Sequence, residues 1–221
     1  MNTTRLDRIG PVAGIVAVVL TVISVVMTGK DMPDFMDEPE KITAYYTDDP
    51  GKLLGGYAID GLGTILLIVF AAAVYVRLGG VRRGVLPPAA FGGAIAMCAL
   101  FMVYDVVQIA ASARVEEGGS ITAEEATTLN DISFIALGVG ATMFAAVFVA
   151  CTAWSALGSG VLPRWLSYVS FLLALGLLIA PISYIFLPIL ILWVLVVSVL
   201  MWMDRAGTET AAPPPAATTP A

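Results

Sequence analysis

Histidine is absent from this sequence. That removes the commonest general base, the commonest metal ligand and the axial ligand of b-type haem together. Any chemistry would fall to carboxylates, tyrosines or hydroxyls. Cysteine is scarce: Cys98 and Cys151 are the two copies, each inside an apolar run and without C-x-x-C spacing. They read as small buried hydrophobes, not as a disulfide, a thiol catalyst or a zinc pair. No Ser-His-Asp, H-E-x-x-H or P-loop pattern occurs, and Gly138-Val139-Gly140 lacks a third glycine and lies within an apolar run. No cofactor and no metal are expected, and an enzyme reading has no positive support.

Charge is the second scarcity. Charged residues make up 13% and hydrophobic residues 59% of the 221 positions, whereas a water-soluble domain is about 45 to 50% apolar. The chain is therefore expected to be an integral membrane protein, with the lipid bilayer as its first partner. The net charge of -6 comes from acidic residues clustered in two loops, which read as solvated loop charge and give no footing for nucleic acid.

Apolar runs of spanning length organise the rest. Residues 1–8, with Arg5 and Arg8, precede a first run from Ile9 to Thr28. It is longer than a signal-peptide core and is not followed by an A-x-A-like site, so it reads as an uncleaved span. An acidic outer loop over 29–52 is expected to hold a short helix with Asp37 as its cap, Pro39 near its first position, and Ile42, Tyr45 and Tyr46 on one side. The second span runs from about Leu53 to Val76, the third from about Leu86 to Ser112, and the fourth from about Ile132 to Leu157 after an outer loop over 113–131. Trp165 to Met203 would be about 58 Å long as one helix, nearly twice the membrane core. It is expected to fold back at Ala180-Pro181-Ile182-Ser183. The expectation is an all-α bundle of six transmembrane helices over 9–203, the fifth short, with a disordered tail over 204–221.

Arg5, Arg8, Arg77, Arg82, Arg83, Arg164 and Arg205 fall on one side of this arrangement, and the other side is acidic. By the positive-inside rule both termini are cytoplasmic. Trp154, Trp165 and Trp202 then lie at the inner interface as an aromatic belt. Gly84-Val85-Leu86-Pro87 recurs as Gly160-Val161-Leu162-Pro163, and Phe70-Ala71-Ala72 as Phe144-Ala145-Ala146. Two readings stay open: parallel hairpin repeats about an axis along the membrane normal, or glycine and proline recurring wherever a short turn starts a helix.

The polar residues inside the spans mark where a function would live. A rise of about 1.5 Å per residue from Arg77 and Leu86 puts Asp60 at about 26 Å and Asp105 at about 28 Å from the cytoplasmic ends. Asp105 shares a face with Phe101, Gln108 and Ser112, and Asp60 with Tyr57 and Thr64. Ser183 and Tyr184 sit at the same level in the last hairpin. A carboxylate facing lipid costs several kcal/mol, so both are expected to face the bundle interior. The bland alternative is that each hydrogen-bonds a neighbouring Tyr, Gln or Arg114 and only orders the packing, and that Asp131 is a helix cap. Gly55, Gly56, Gly61, Gly63, Gly92, Gly93, Gly138 and Gly140 read as close-packing surfaces between helices.

The turn Ser159-Gly160-Val161-Leu162-Pro163-Arg164-Trp165-Leu166 resembles the S-G-x-L-P-R-x-L stretch of a bacterial membrane-protein family of unknown function with several to six spans. Arg8-Ile9-Gly10-Pro11-Val12-Ala13-Gly14 is similar to that family's opening, and the resemblance covers about Arg8 to Ile179. It implies a multi-pass membrane fold and transfers no functional residue. Two functions compete. One is a non-enzymatic protein of the bacterial inner membrane whose outer-leaflet cavity, lined by Asp60, Asp105, Gln108, Tyr57 and Tyr184, binds a small or lipidic ligand or serves a partner, whether a second copy or another membrane protein. The other is a small proton- or cation-coupled transporter using Asp60 and Asp105.

Overall fold

A computed structural model describes residues 3–30, 32–179 and 183–210, with side chains over 9–30, 32–179 and 185–204. Among these the chain is helical, with no strand. The order is α1 (Thr3–Thr28), α2 (Pro39–Asp48), α3 (Pro50–Arg77), a 3-10 turn (Gly80–Arg83), α4 (Leu86–Glu116), α5 (Ala123–Ile135), a π-turn (Ala136–Ala141), α6 (Thr142–Ser159), α7 (Arg164–Leu178) and α8 (Ser183–Thr210). Five stretches are long and apolar enough to cross a membrane: α1, α3, α4, the continuous rod from α5 through α6, and α8. The fifteen residues of α7 are apolar but shorter. In hydrocarbon every backbone polar group must be satisfied within its own segment, which is why these runs are helices.

Several boundaries differ from the sequence expectation. The outer loop expected over 113–131 shrinks to a short turn, because α4 continues to Glu116 and α5 begins at Ala123. A capping box at Thr122 and Glu125 starts α5, the two residues satisfying each other's backbone N–H groups. Asp131 therefore lies inside a helix and caps nothing. The short helix in the acidic loop is present, with Ile42, Tyr45 and Tyr46 buried. Its N-cap is Glu38, not Asp37. Asp37 instead accepts from the Asp34 backbone N–H at 2.6 Å and from Lys41 Nζ at 2.5 Å. The expected break after α7 is consistent with its end at Leu178, but residues 180–182 lie outside the described residues. The tail expected to be disordered from residue 204 begins as helix, since α8 runs to Thr210; residues 211–221 lie outside the described ones.

The two GVLP turns differ in conformation. Gly84 has φ 95 and ψ -157, and the helix begins at Leu86 with Pro87 in its first turn; Gly160 is left-handed with φ 71 and ψ 12, and Pro163 stands before the helix. The repeat is one of turn chemistry, not of local structure.

Helix ends gather in a way that fixes relative direction. At one end, Gly10 of α1 abuts Ala73 of α3, and Gly14 abuts Phe70 of α3 and Ser198 of α8. Arg77, closing α3, donates to the Met201 carbonyl at 2.8 Å and approaches Asp204 at 3.5 Å. The exposed Trp154, Trp165 and Trp202 lie on the helix segments that reach this end. Its apolar core, containing Phe70, Met97, Phe148 and Trp193, joins α3, α4, α6, α7 and α8. A second core at the opposite end holds Ile42, Tyr46, Tyr57, Tyr104 and Ala126, so α2 packs as a roof over the mouth of the bundle.

Close backbone approach depends on particular glycines. A Cβ on Gly93 would stand 3.0 Å from the Phe144 carbonyl oxygen and the Phe148 nitrogen, whereas one on neighbouring Gly92 would meet nothing within 4 Å. Of the glycines expected as packing surfaces, Gly92 is thus not one. Gly93→Val should destabilise the protein by about 1–3 kcal/mol, since backbone cannot yield as a side chain can. Gly92→Val should be near neutral, and unfolding of both variants in detergent measures the difference.

Candidate functional site

Between α1, α3, α4, α5 and the first half of α8 the bundle leaves a partly open cavity of about 630 Å³. Its polar wall is built by two helices at helical spacing: Thr21, Ser24 and Thr28 along one face of α1, and Tyr57, Asp60 and Thr64 along one face of α3. The register between these walls comes from tight α1–α3 packing. A Cβ on Gly63 would lie 3.3 Å from the Ala17 carbonyl oxygen, and one on Gly56 would collide with Thr28. Opposite, α8 contributes Leu187, Pro188, Leu190, Ile191 and Val194, all apolar. Phe101 and Tyr104 of α4 and Phe134 and Leu137 at the π-turn complete the walls. Met32, Asp34 and Phe35 border the mouth, where the Phe35 and Phe134 rings stack at 5.9 Å.

A line of phenols closes the outer side. Tyr45 Oη donates to the Thr28 carbonyl at 3.0 Å and lies 2.6 Å from Tyr57 Oη, which lies 3.3 Å from Tyr104 Oη. With the Tyr45 proton committed to the carbonyl, Tyr57 donates to Tyr45. Tyr104 contacts the Met32 sulfur at 3.9 Å. This ties the amphipathic α2 to α1, α3 and α4 across the top of the cavity. Burial pushes the phenols of Tyr45 and Tyr46 well above the ordinary value of 10.0, so both remain neutral through the physiological range.

The residues singled out in the sequence fall into three groups. Tyr57 and Asp60 line the cavity together; Asp60 faces the Thr21 hydroxyl. Asp105 and Gln108 do not line it. Asp105 is fully buried behind Gly61, where a Cβ would stand 3.7 Å from an Asp105 carboxylate oxygen, and it is within Coulombic range of Asp60. Among the described residues, neither Asp105 oxygen has a hydrogen-bond partner. The bland expectation of a bond to Tyr, Gln or Arg114 therefore fails: Arg114 pairs with Glu125 at 3.2 Å on the surface. Gln108 turns towards Tyr46 under α2, close but without a well-formed bond. The side chain of Tyr184 lies outside the described ones. The α1 hydroxyl stripe, Tyr45 and Tyr104 were missed as site residues. The spacing of Thr21, Ser24 and Thr28 in an otherwise apolar helix was the available signal.

Tyr57→Phe should cost about 0.5–1.5 kcal/mol, the net worth of one hydrogen bond, while leaving Tyr45 anchored to Thr28; chemical unfolding in detergent reads the loss. Unfolded phenols ionise near their ordinary value while Tyr45 and Tyr46 stay protonated in the fold. The unfolded state therefore binds fewer protons above about pH 10, and the stability of the α2 roof falls as pH rises through that range. Ultraviolet phenolate absorbance, followed against pH in native protein and Tyr45→Phe, should show these tyrosines ionising only as the roof comes away.

No curated protein and no solved structure matches the chain. The model of one family does: that of a domain of unknown function, DUF4386, over residues 8–206. The match takes in all the helices that wall the cavity, and it agrees with the sequence resemblance to a membrane-protein family of unknown function. The chain belongs to the DUF4386 family.

Proposed function

We propose that this is a non-enzymatic, multi-pass protein of a bacterial inner membrane whose cavity binds a small or lipidic amphipathic molecule. The observation that carries the reading is the two-sided cavity: hydroxyls, a phenol and one carboxylate on α1 and α3 face a wall of apolar α8 side chains, Leu187 to Val194. Its volume falls within the roughly 300–1,000 Å³ of small-molecule sites, which combine apolar walls with a few placed polar groups. A molecule with a polar head and an apolar tail satisfies both walls at once.

Six passes with both termini cytoplasmic complete the reading. The start of α1 and the end of α8 lie at the same end of the bundle, which supports an even number of passes with α7 as the short fifth one. The arginines at that end supply the orientation by the positive-inside rule. Coupled transport through Asp60 and Asp105 has less support, because Asp105 stands behind Gly61 and not on the cavity wall.

Thermal unfolding of the purified chain against a panel of single-chain amphiphiles tests the binding role. Midpoints should rise with some panel members, and Leu190→Trp, which fills the tail wall, should abolish the rise. Gln108→Leu, outside the cavity, should leave it intact. A panel without any shift on the native protein would sink the reading.

A further inference from the structure

We propose that the cavity selects a cationic amphiphile, an ammonium head group on an apolar tail. This rests on the reading of the cavity as a ligand site and names its ligand class. The charge around the cavity has one sign. Asp60 stands on its wall at mid-height and Asp34 at its mouth, while no Lys or Arg is among the described residues that line it. Asp105, whose oxygens have no hydrogen-bond partner among the described residues, lies behind Gly61 close to this wall. Of the basic side chains, Arg114 pairs with Glu125 at the surface, Arg77 with Met201 and Asp204 at the far end, and Lys41 with Asp37; Lys30, next to Gly29 at the mouth, is exposed and is not part of the lining.

A carboxylate inside a membrane bundle is costly unless it is paired or opens on water, and such residues mark sites for ions or charged ligands. An incoming ammonium supplies the missing partner for Asp60; an anionic head is repelled, and a neutral one leaves the carboxylate uncompensated. The Tyr57, Tyr104 and Phe101 rings also line the cavity, and aromatic faces attract ammonium groups, methylated ones included. Below the head, Leu187, Leu190 and Val194 of α8 seat the tail.

The test is isothermal titration of the full chain, in a neutral sterol-based detergent, with three probes that share a tail: decyltrimethylammonium, decanol and decanoate. The ammonium probe should bind saturably and about tenfold or more tighter than decanol, as one charge pair supplies at interfaces of this kind; decanoate should bind most weakly. Asp60→Asn should bring the ammonium probe down to the decanol level without changing decanol, and Asp60→Glu should keep the preference. If decanol or decanoate binds as tightly as the ammonium probe, or Asp60→Asn keeps the selectivity, the cationic inference fails and the cavity reading stands. If no probe binds the native chain saturably, the cavity reading fails and takes this inference with it. Where Asp60→Asn does not fold, the three-probe series on the native chain decides by itself.

Discussion

The close contact between α1 and α3 is the constraint on which the rest of the molecule depends. Without a hydrophobic driving force between helices in lipid, association relies on close packing and on polar groups finding one another. Small residues at Gly56 and Gly63 bring the two backbones together, and Gly10 and Gly14 do the same at the other end. That approach sets Thr21, Ser24 and Thr28 beside Tyr57, Asp60 and Thr64. Six polar side chains that would each be expensive against lipid become one continuous wall inside the bundle.

The opposite side of the cavity follows from what α8 lacks. Its cavity side presents Leu187, Pro188, Leu190, Ile191 and Val194, while the helix is bound into the core through Trp193, which donates to Ser170 Oγ at 2.8 Å, and further along through the Arg77 bond to Met201. One helix thus has a fixed face and a face that borders open space. The neighbouring rod passes through the π-turn at Ala136–Ala141 where Leu137 meets the cavity; such single-turn departures from α geometry recur near functional sites. The tyrosine line then joins α2 to this framework, so that the acidic segment outside the membrane is packed as a roof and not left as a free loop.

Much of the architecture was legible in the sequence because length and hydropathy are local properties. The span from Leu53 to Val76 needed only slight lengthening, and the buried side of α2 was given by Ile42, Tyr45 and Tyr46. Errors came where local chemistry has two solutions. Asp37 has the residue type of a cap, yet its carboxylate bonds Asp34 and Lys41, leaving Glu38 at the cap position. Residues 113–131 looked like a loop because they are polar, but α4 runs on to Glu116, and Thr122 and Glu125 form a capping box that starts a helix well before the apolar run. Depth counting put Asp60 and Asp105 at one level, but it carries no information about rotation, and the structure places Asp105 behind Gly61 and off the cavity wall.

By itself, then, the sequence determined a helical membrane bundle, the approximate ends of its long spans and the heights of its buried polar groups, since each depends on composition and rise along one segment. Tertiary structure decided which of those groups share a cavity. It turned Asp60 towards Thr21 and put Asp105 behind Gly61; it also set the α1 hydroxyls opposite the apolar Leu187–Val194 side of α8. The reason is physical: the azimuth of a side chain around its helix acquires meaning only when the neighbouring helix, and the space left between them, are fixed by packing.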